Sequence, residues 1–156
     1  MSLEKTLVIL KPSTVQRGLI GEITHRFERK GLRLAGMKMM QLTEDLLNEH
    51  YAHLAGKPFF SRVKASMMAC PVIVCCYEGV DAIQVVRSMT GATNGRVAVP
   101  GTIRGDYCVS SQETSSTPPI HPKRLLKKLS DSLNLKNCLN TKELLSTLFT
   151  IRMNIN

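Results

Sequence analysis

The side chains best suited to chemistry in this chain of 156 residues lie before residue 110, and they suit the binding of phosphate. Lys11 directly follows an apolar run, where its ammonium group offers a point charge to an anion. Residues 90–106, TGATNGRVAVPGTIRGD, are rich in glycine, threonine, asparagine and arginine, which offer groups that can bind phosphate oxygens. An irregular stretch of this length inside a compact domain is usually either functional or disordered.

Each of these side chains also has a structural alternative. Lys11 could be a solvated lysine that caps a strand. A lone arginine, such as Arg87 or Arg104 taken separately, more often forms a surface ion pair than a ligand contact. The hydroxyl of Thr93 could serve a turn.

The elements that must position these residues alternate between strands and helices. Apolar runs predict strands over residues 5–10, 32–41 and 71–77. Helical spacing and end signals predict helices over residues 21–30, 43–55, 61–69 and 80–89. This order indicates an α/β sandwich with an antiparallel sheet. The predicted core comprises Leu7, Ile9, Ile23, Phe27, Val72, Val74, Ile83 and Val86.

The composition sets mild bounds on the class of protein. A hydrophobic content of 43% and a charged content of 21% are ordinary for a globular domain, and no apolar run reaches membrane-spanning length. The five cysteines lack CxxC spacing, and Cys70, Cys75 and Cys76 lie in or beside an apolar run, so buried reduced thiols and a cytoplasmic location are expected. The net charge of +9 would suit nucleic acid, but three Tyr, four Phe and no Trp disfavour specific single-strand recognition.

Three segments, in matching order and spacing, resemble nucleoside diphosphate kinases across residues 3–109. They are LVILKPSTVQRGLIGEI, HYAHLAGKPFF and MTGATN…PGTIRGDY. The resemblance implies a domain over residues 1–109 with a ferredoxin-like βαββαβ sandwich, here expected to lack the usual fourth strand. It also implies nucleoside di- and triphosphates as ligands, and Mg²⁺ held mainly through their phosphates. Homo-oligomers, hexamers or tetramers, are typical of the family, although the C-terminal tail of this chain puts that assembly in doubt.

The resemblance assigns a role to each matching residue. Phe59 corresponds to the aromatic that stacks on the base, with core packing as the alternative, although Phe60 suits that core position better. Tyr51 corresponds to a hydroxyl near the catalytic histidine, with a half-buried helix position as the alternative. The arginines would clamp phosphates through their planar forks. The implied nucleotide-binding residues are Lys11, Tyr51, Phe59, Arg87, Thr93 and Arg104.

The residue that the family's chemistry needs most is missing from its expected position. In the family, a histidine accepts the γ-phosphoryl group and passes it to a diphosphate, which is covalent catalysis in two steps. That position is Thr117 here, and no catalytic residue is intact. His121 lies four residues later between prolines, and this stiff backbone makes it a poor substitute.

Residues 110–156 form a basic tail with no resemblance to the family in the written frame. Codons can be chosen for residues 112–124 so that the shifted frame spells SGNVIHASDSSEK, with its histidine codon straddling Ser116 and Thr117. The same shifted frame over residues 135–146 spells EELLEYKGTAF, which resembles the family's C-terminal segment. Two matches in one frame suggest a one-base slip near Ser110. We therefore expect a tail that is out of frame and either poorly ordered or loosely helical.

Two function classes follow from the sequence. The first is an active Mg²⁺-dependent nucleoside diphosphate kinase, in which His121 would have to be phosphorylated. The second is a kinase-like protein that binds nucleotides or partners without turnover. A basic nucleic-acid-binding protein is a minor third option, which a salt titration of binding would test.

Overall fold

The structure, a computed structural model, describes residues 3–50, 56–109 and 148–151. Its centre is a sheet of strands β1 (Leu3–Leu10), β2 (Arg33–Met40), β3 (Val72–Val80) and β4 (Leu148–Ile151). The spatial order is β2-β3-β1-β4. β3 is antiparallel to both β1 and β2, whereas β4 is parallel to β1.

The pairing of the first and third strands confirms the sheet that the apolar runs predicted. Leu7 lies opposite Cys76 and Leu10 lies opposite Ile73. Side chains alternate along a strand, so neighbouring residues of β1 enter different cores. Leu7 and Ile9 join one cluster of buried residues, while Val8 and Leu10 join the other.

Six α-helices accompany the sheet within the described ranges. Four of them match predicted helices: α2 (Ile20–Arg29), α3 (Glu44–His50), α4 (Phe60–Met68) and α5 (Ala82–Thr90). The third helix was predicted over residues 43–55, and positions 51–55 of that prediction lie outside the described residues. The sequence analysis missed two short helices, α1 (Pro12–Gln16) and α6 (Ile103–Tyr107). Both have only five residues, too few to show a helical period.

The helices pack on both faces of the sheet. One cluster joins Leu47 of α3 and Met67 of α4 to the sheet, and the other joins Phe27 of α2, Val86 of α5 and Ile103 of α6. Seven of the eight predicted core residues are buried. Ile83 is the exception, because it is only half-buried. In the first turn of α5, Ala82 takes the inward position instead.

The cysteines follow the expectation of buried thiols with one correction. Cys75, Cys76 and Cys108 are buried free thiols, but Cys70 is only half-buried. Burial raises the pKa of the Cys75 thiol to about 12, which keeps it protonated and unreactive at neutral pH.

A short C-terminal segment pairs with the edge of the sheet beside β1, where the sequence analysis expected no regular structure. The described residues contain no antiparallel fourth strand of the ferredoxin-like type. Instead, Leu148–Ile151 runs parallel to β1, with Leu7 opposite Leu148 and Leu10 opposite Ile151. These four residues thus form a regular strand within the segment for which a poorly ordered or loosely helical chain was expected. Regular strand pairing needs only backbone groups, so a segment without the family's motifs can supply it. The rest of the tail lies outside the described residues.

Candidate functional site

Lys11 occupies the junction between β1 and α1. The strand ends at Leu10, and Lys11 adopts an extended conformation as the N-cap of α1. Its carbonyl accepts hydrogen bonds from the amides of Thr14 (2.9 Å) and Val15 (3.2 Å). Pro12 follows at the first helical position, where its missing N–H is harmless and its fixed φ suits a helix.

The side chain of Lys11 is not the solvated lysine of the structural alternative. The residue is only 7% exposed. Burying an ammonium group is unfavourable unless polar partners compensate its charge. The junction therefore holds a cation inside the protein, where its charge is less screened than at the surface.

Arg104 is the second buried cation. It lies on α6 and is 6% exposed. Its Nη1 donates a 2.7 Å hydrogen bond to the carbonyl of Gly91, the residue that ends α5. The amide of Gly91 in turn donates to the carbonyl of Arg87 at 3.2 Å. Gly91 thus connects the Arg104 side chain to the backbone of Arg87 at the C-terminal end of α5, and Thr93 follows two residues after Gly91.

The turn at Gly91 depends on glycine for two reasons. Its φ of 81° lies in the left-handed region, which side chains other than glycine rarely adopt. A Cβ atom at this position would also collide with the side chain of Thr102. Close packing of Thr102 on Gly91 holds the start of α6 against the end of α5.

The stretch over residues 90–106 is folded, which removes disorder as the explanation of its irregular sequence. Asn94 caps a single turn of 3₁₀ helix at Gly95–Val97, accepting from the amide of Arg96 at 3.1 Å. Thr102 caps α6, accepting from the amide of Gly105 at 3.1 Å. Thr93, just before the first cap, is exposed, whereas Arg104, just after the second, is buried.

Phe59 lies at the start of α4, where it is half-buried. It packs on the cluster that contains Leu47 and Met67, and Phe60 packs on the same cluster. The expected division of labour, with Phe60 in the core and Phe59 free to stack, is therefore incomplete. The structure links this region to the Lys11 junction through contacts between α1 and α4.

A network on the outer side of α6 was not found by sequence reasoning. Arg26 of α2 bonds through Nε to Glu22 (2.8 Å), through Nη1 to Asp106 (2.6 Å) and through Nη2 to the hydroxyl of Tyr107 (2.8 Å). The Tyr107 hydroxyl donates to Glu22 at 3.0 Å, which closes the ring of contacts. Only the spacing of Glu22 and Arg26, one helical turn apart, signals any of this in the sequence.

The charges of this network shift the pKa values of its acids. The Gly101 N–H and then Arg26 hold the pKa of Asp106 below its ordinary value. Hydrogen bonds from Arg26 and then Tyr107 do the same for Glu22. Partial burial and the bond to Glu22 raise the pKa of Tyr107. All three groups thus keep their ordinary charge states near neutral pH.

The remaining predicted site residues lie outside the described residues; they are Tyr51, Thr117 and His121. Within the described ranges, no group of three or more His, Cys, Asp and Glu side chains is arranged to hold a metal ion. In the same ranges, no helix is long and apolar enough to cross a membrane.

Two relatives show how far the similarity in sequence extends. A nucleoside diphosphate kinase of Parabacteroides distasonis is 65% identical over 132 residues, covering 80% of this chain and 86% of the relative. Human nucleoside diphosphate kinase A is 49% identical over 106 residues, covering 68% of this chain and 70% of the relative.

Solved structures show the same fold. A halophilic nucleoside diphosphate kinase of Halobacterium salinarum in complex with CDP has a TM-score of 0.64 and 48% identity, covering 68% of this chain and 70% of that one. A structure of the nucleoside diphosphate kinase of Borrelia burgdorferi mimics the transition state with bound vanadate and ADP. It has a TM-score of 0.64 and 40% identity to this chain. The match covers 72% of this chain and 70% of the Borrelia chain.

The family as a whole also matches most of this chain. The sequence pattern of the nucleoside diphosphate kinase family matches residues 4–121, a range that includes Thr117. This match confirms the family resemblance and extends past residue 109, where the motifs quoted from the sequence end. The chain belongs to the nucleoside diphosphate kinase family.

Proposed function

We propose that this chain binds nucleoside di- and triphosphates through Lys11, Arg87, Thr93 and Arg104, with Phe59 stacking on the base. The observation that carries the proposal is the burial of two cations: Lys11 at the end of β1, and Arg104 on α6, where it bonds to the residue that ends α5. Buried guanidinium and ammonium groups bind phosphate oxygens strongly because little water screens them. The family neighbours with CDP and ADP support the same ligand class. Tyr51 completes the proposed set by family resemblance.

The tail bears on turnover. The family's reaction moves the γ-phosphate of a nucleoside triphosphate to a diphosphate through a phosphohistidine. We infer that this chain as written is inactive or severely impaired, because Thr117 stands at the histidine position. A threonine hydroxyl lacks the free nitrogen pair of imidazole and has a far higher pKa. His121 is displaced by four residues, and a misplacement of about 1 Å can cost roughly 100-fold in rate.

We attribute the missing histidine to a reading-frame slip near Ser110. Residues 111–156 would then be an out-of-frame extension, separate from the kinase-like domain of residues 1–109. Two matches support this origin: codons allowed for Ser116 and Thr117 can contain a histidine codon in the shifted frame, and residues 135–146 match the family in that same frame.

Several finer features of the proposed function follow from the family. Mg²⁺ would enter with the nucleotide, held mainly by its phosphate oxygens, because this small cation favours oxygen ligands and substrate phosphates. The base would be read loosely, because stacking on Phe59 does not contact base edges. We further propose that the protein is cytoplasmic and has no specific nucleic-acid target. It would form homo-oligomers, as the family does, only if the altered tail permits that assembly. The second candidate function is a non-catalytic kinase-like protein that binds nucleotides or partners.

Calorimetric titration of the full chain with ADP in the presence of Mg²⁺ tests the nucleotide site. We expect ADP to bind the natural chain. Arg104→Gln should weaken its affinity about tenfold, since a hydrogen bond to a charged group contributes roughly 1.5–3 kcal/mol. Arg33→Gln is the matched control, because Arg33 is a cation paired with Glu78 at 2.8 Å, on β2 and away from the site. Equal affinities for both variants and the natural chain would reject the site. No binding to the natural chain would favour the partner-binding alternative.

A further inference from the structure

Arg26 lies outside the proposed nucleotide site, yet it contacts the helix that carries Arg104. Its guanidinium bonds to two side chains of α6, Asp106 at 2.6 Å and Tyr107 at 2.8 Å. Its charge also lies over the ring of Tyr107, 4.8 Å from the ring centroid. Glu22, on the same face of α2, fixes the Nε atom at 2.8 Å.

The helix that Arg26 contacts cannot hold its own position. α6 has only five residues, and a helix this short is not stable without tertiary contacts. Its inner side carries Ile103 and Arg104, both buried. Its outer side carries Asp106 and Tyr107. The angle at which α6 lies on the protein therefore depends on contacts made on both sides.

The contacts on the two sides are mechanically connected. Asp106 accepts from the amide of Gly101 at 2.7 Å and from Arg26, so it ties the turn before α6 to α2. Thr102, next to that turn, caps α6 and packs at Gly91. The carbonyl of Gly91 is the acceptor for Arg104. A shift of α6 would thus move the Arg104 guanidinium relative to Gly91.

We propose that Arg26 is a positioning residue for phosphate recognition: it holds α6 through Asp106 and Tyr107, and so keeps Arg104 in place to bind the phosphates of a nucleoside diphosphate. This inference rests on the proposed nucleotide site and deepens it. Arg26 itself contacts no ligand in this scheme.

The chemistry of the contacts calls for arginine at this position. The planar guanidinium uses Nε, Nη1 and Nη2 for three different partners, Glu22, Asp106 and Tyr107. A lysine has a single ammonium group and no planar fork. The Tyr107 carbonyl also accepts from Arg17 Nη1 at 2.7 Å, which gives α6 a second anchor. Loss of Arg26 should therefore loosen α6 rather than release it.

The test measures the affinity of the full chain for ADP with Mg²⁺ and, separately, for adenosine. An effect that acts through Arg104 should weaken only the ligand with phosphates. For Arg26→Gln we expect about tenfold weaker ADP binding, the effect of one charged hydrogen bond, and unchanged adenosine binding. Arg33→Gln, which breaks a surface ion pair of similar length on β2, should leave both affinities unchanged.

A double variant separates positioning from a general structural role. In the Arg104→Gln background, Arg26→Gln should change ADP affinity by less than about twofold, because coupled residues are non-additive. Tyr107→Phe, which removes only the hydroxyl, provides a milder variant should Arg26→Gln fail to fold, and it should show the same selective loss of ADP affinity.

Three results would overturn the inference while leaving the nucleotide site intact. In the first, the Arg26→Gln and Tyr107→Phe variants both bind ADP as tightly as the natural chain does. In the second, Arg26→Gln weakens ADP and adenosine binding equally; in the third, its effect on ADP affinity adds fully to that of Arg104→Gln. A natural chain that binds no ADP would overturn the proposed function together with this inference.

Discussion

Two cations distinguish this chain from an ordinary basic domain, because the fold buries them. Lys11 and Arg104 are both less than one-tenth exposed, whereas Arg87, the third cation of the proposed site, is exposed. Of these three, the exposed Arg87 alone keeps the environment of a surface arginine. The structural alternatives thus fail for Lys11 and Arg104 because of burial, a property of the fold.

The glycine that ends α5 provides a prediction on stability. Gly91→Ala should lower the free energy of unfolding by about 2–4 kcal/mol, because it adds a strained φ to a clash with Thr102. Urea denaturation would measure the change. Gly101→Ala is the matched control, since Gly101 has a φ of 91° with open space around the added Cβ. Its loss should be about 1 kcal/mol, from backbone strain alone. Similar losses at both positions would refute the packing argument.

Asp106 provides a prediction on pH dependence. Its folded pKa is lowered by the Gly101 N–H and Arg26, so its contribution to stability is present above the unfolded pKa and is lost as pH falls through the folded pKa. Asp106→Asn should therefore reduce stability at neutral pH, and the difference from the natural chain should shrink on acidification below about pH 4.

Denaturation curves at several pH values would check this dependence. Asp81→Asn is the control, because it removes a carboxylate at the turn before α5 that makes no capping hydrogen bond. A difference between Asp106→Asn and the natural chain that stays constant down to acidic pH would contradict the interpretation.

Helices α3 and α4 share an apolar cluster, and one lysine adds polar contacts between them. Lys64 of α4 contacts Glu44 (2.6 Å) and Asn48 (3.0 Å) of α3, and its ammonium lies 5.1 Å from the centroid of the Phe60 ring. The hydrogen bond from Lys64 lowers the pKa of Glu44. This pair of helices carries Phe59 at its turn into α4, so its geometry bears on the proposed stacking position.

Removing this lysine should loosen α3. In Lys64→Met, we expect faster hydrogen exchange of the amides of α3 and unchanged exchange in β1, because local opening follows the loss of local contacts. Arg62→Met, a change at an exposed cation of the same helix, is the control and should leave α3 as it is. If the two variants exchange alike across α3, the lysine does not hold the pair together.

For the whole chain, the decisive question is whether it can catalyse phosphoryl transfer between nucleotides. The full chain incubated with γ-labelled ATP and Mg²⁺ should carry no acid-labile phosphate, because the histidine nucleophile is absent at position 117. A chain translated in the shifted frame after Ser110 should gain both the label and phosphate exchange between nucleotides.

Two controls make this experiment specific. His121→Gln in the chain as written should change nothing, and replacing the restored histidine by glutamine should abolish the label. Phosphohistidine at His121, or exchange at the rate of a related kinase, would show that the tail does supply a nucleophile and that the out-of-frame interpretation is wrong.

Local patterns were enough for most of the scaffold. The apolar run that ends at Leu10, the pairing of Ile23 with Phe27 and the run from Val72 set two strands and a helix, because strand and helix periods are readable from hydrophobicity. The ends of two helices were readable at Thr43 and Gly91, because these residue types favour helix ends. The family motifs added the identities of the proposed ligand-binding residues.

The sequence did not show the features that depend on contacts between residues distant along the chain. The burial of Lys11 and Arg104, the inward position of Ala82 instead of Ile83, and the Arg26 network join residues from different elements, which no local pattern contains. The parallel strand Leu148–Ile151 arises in the same way, since its partner β1 is more than a hundred residues away. Periodicity reports which face of an element is apolar, whereas the packing of elements determines which charged groups are enclosed with it.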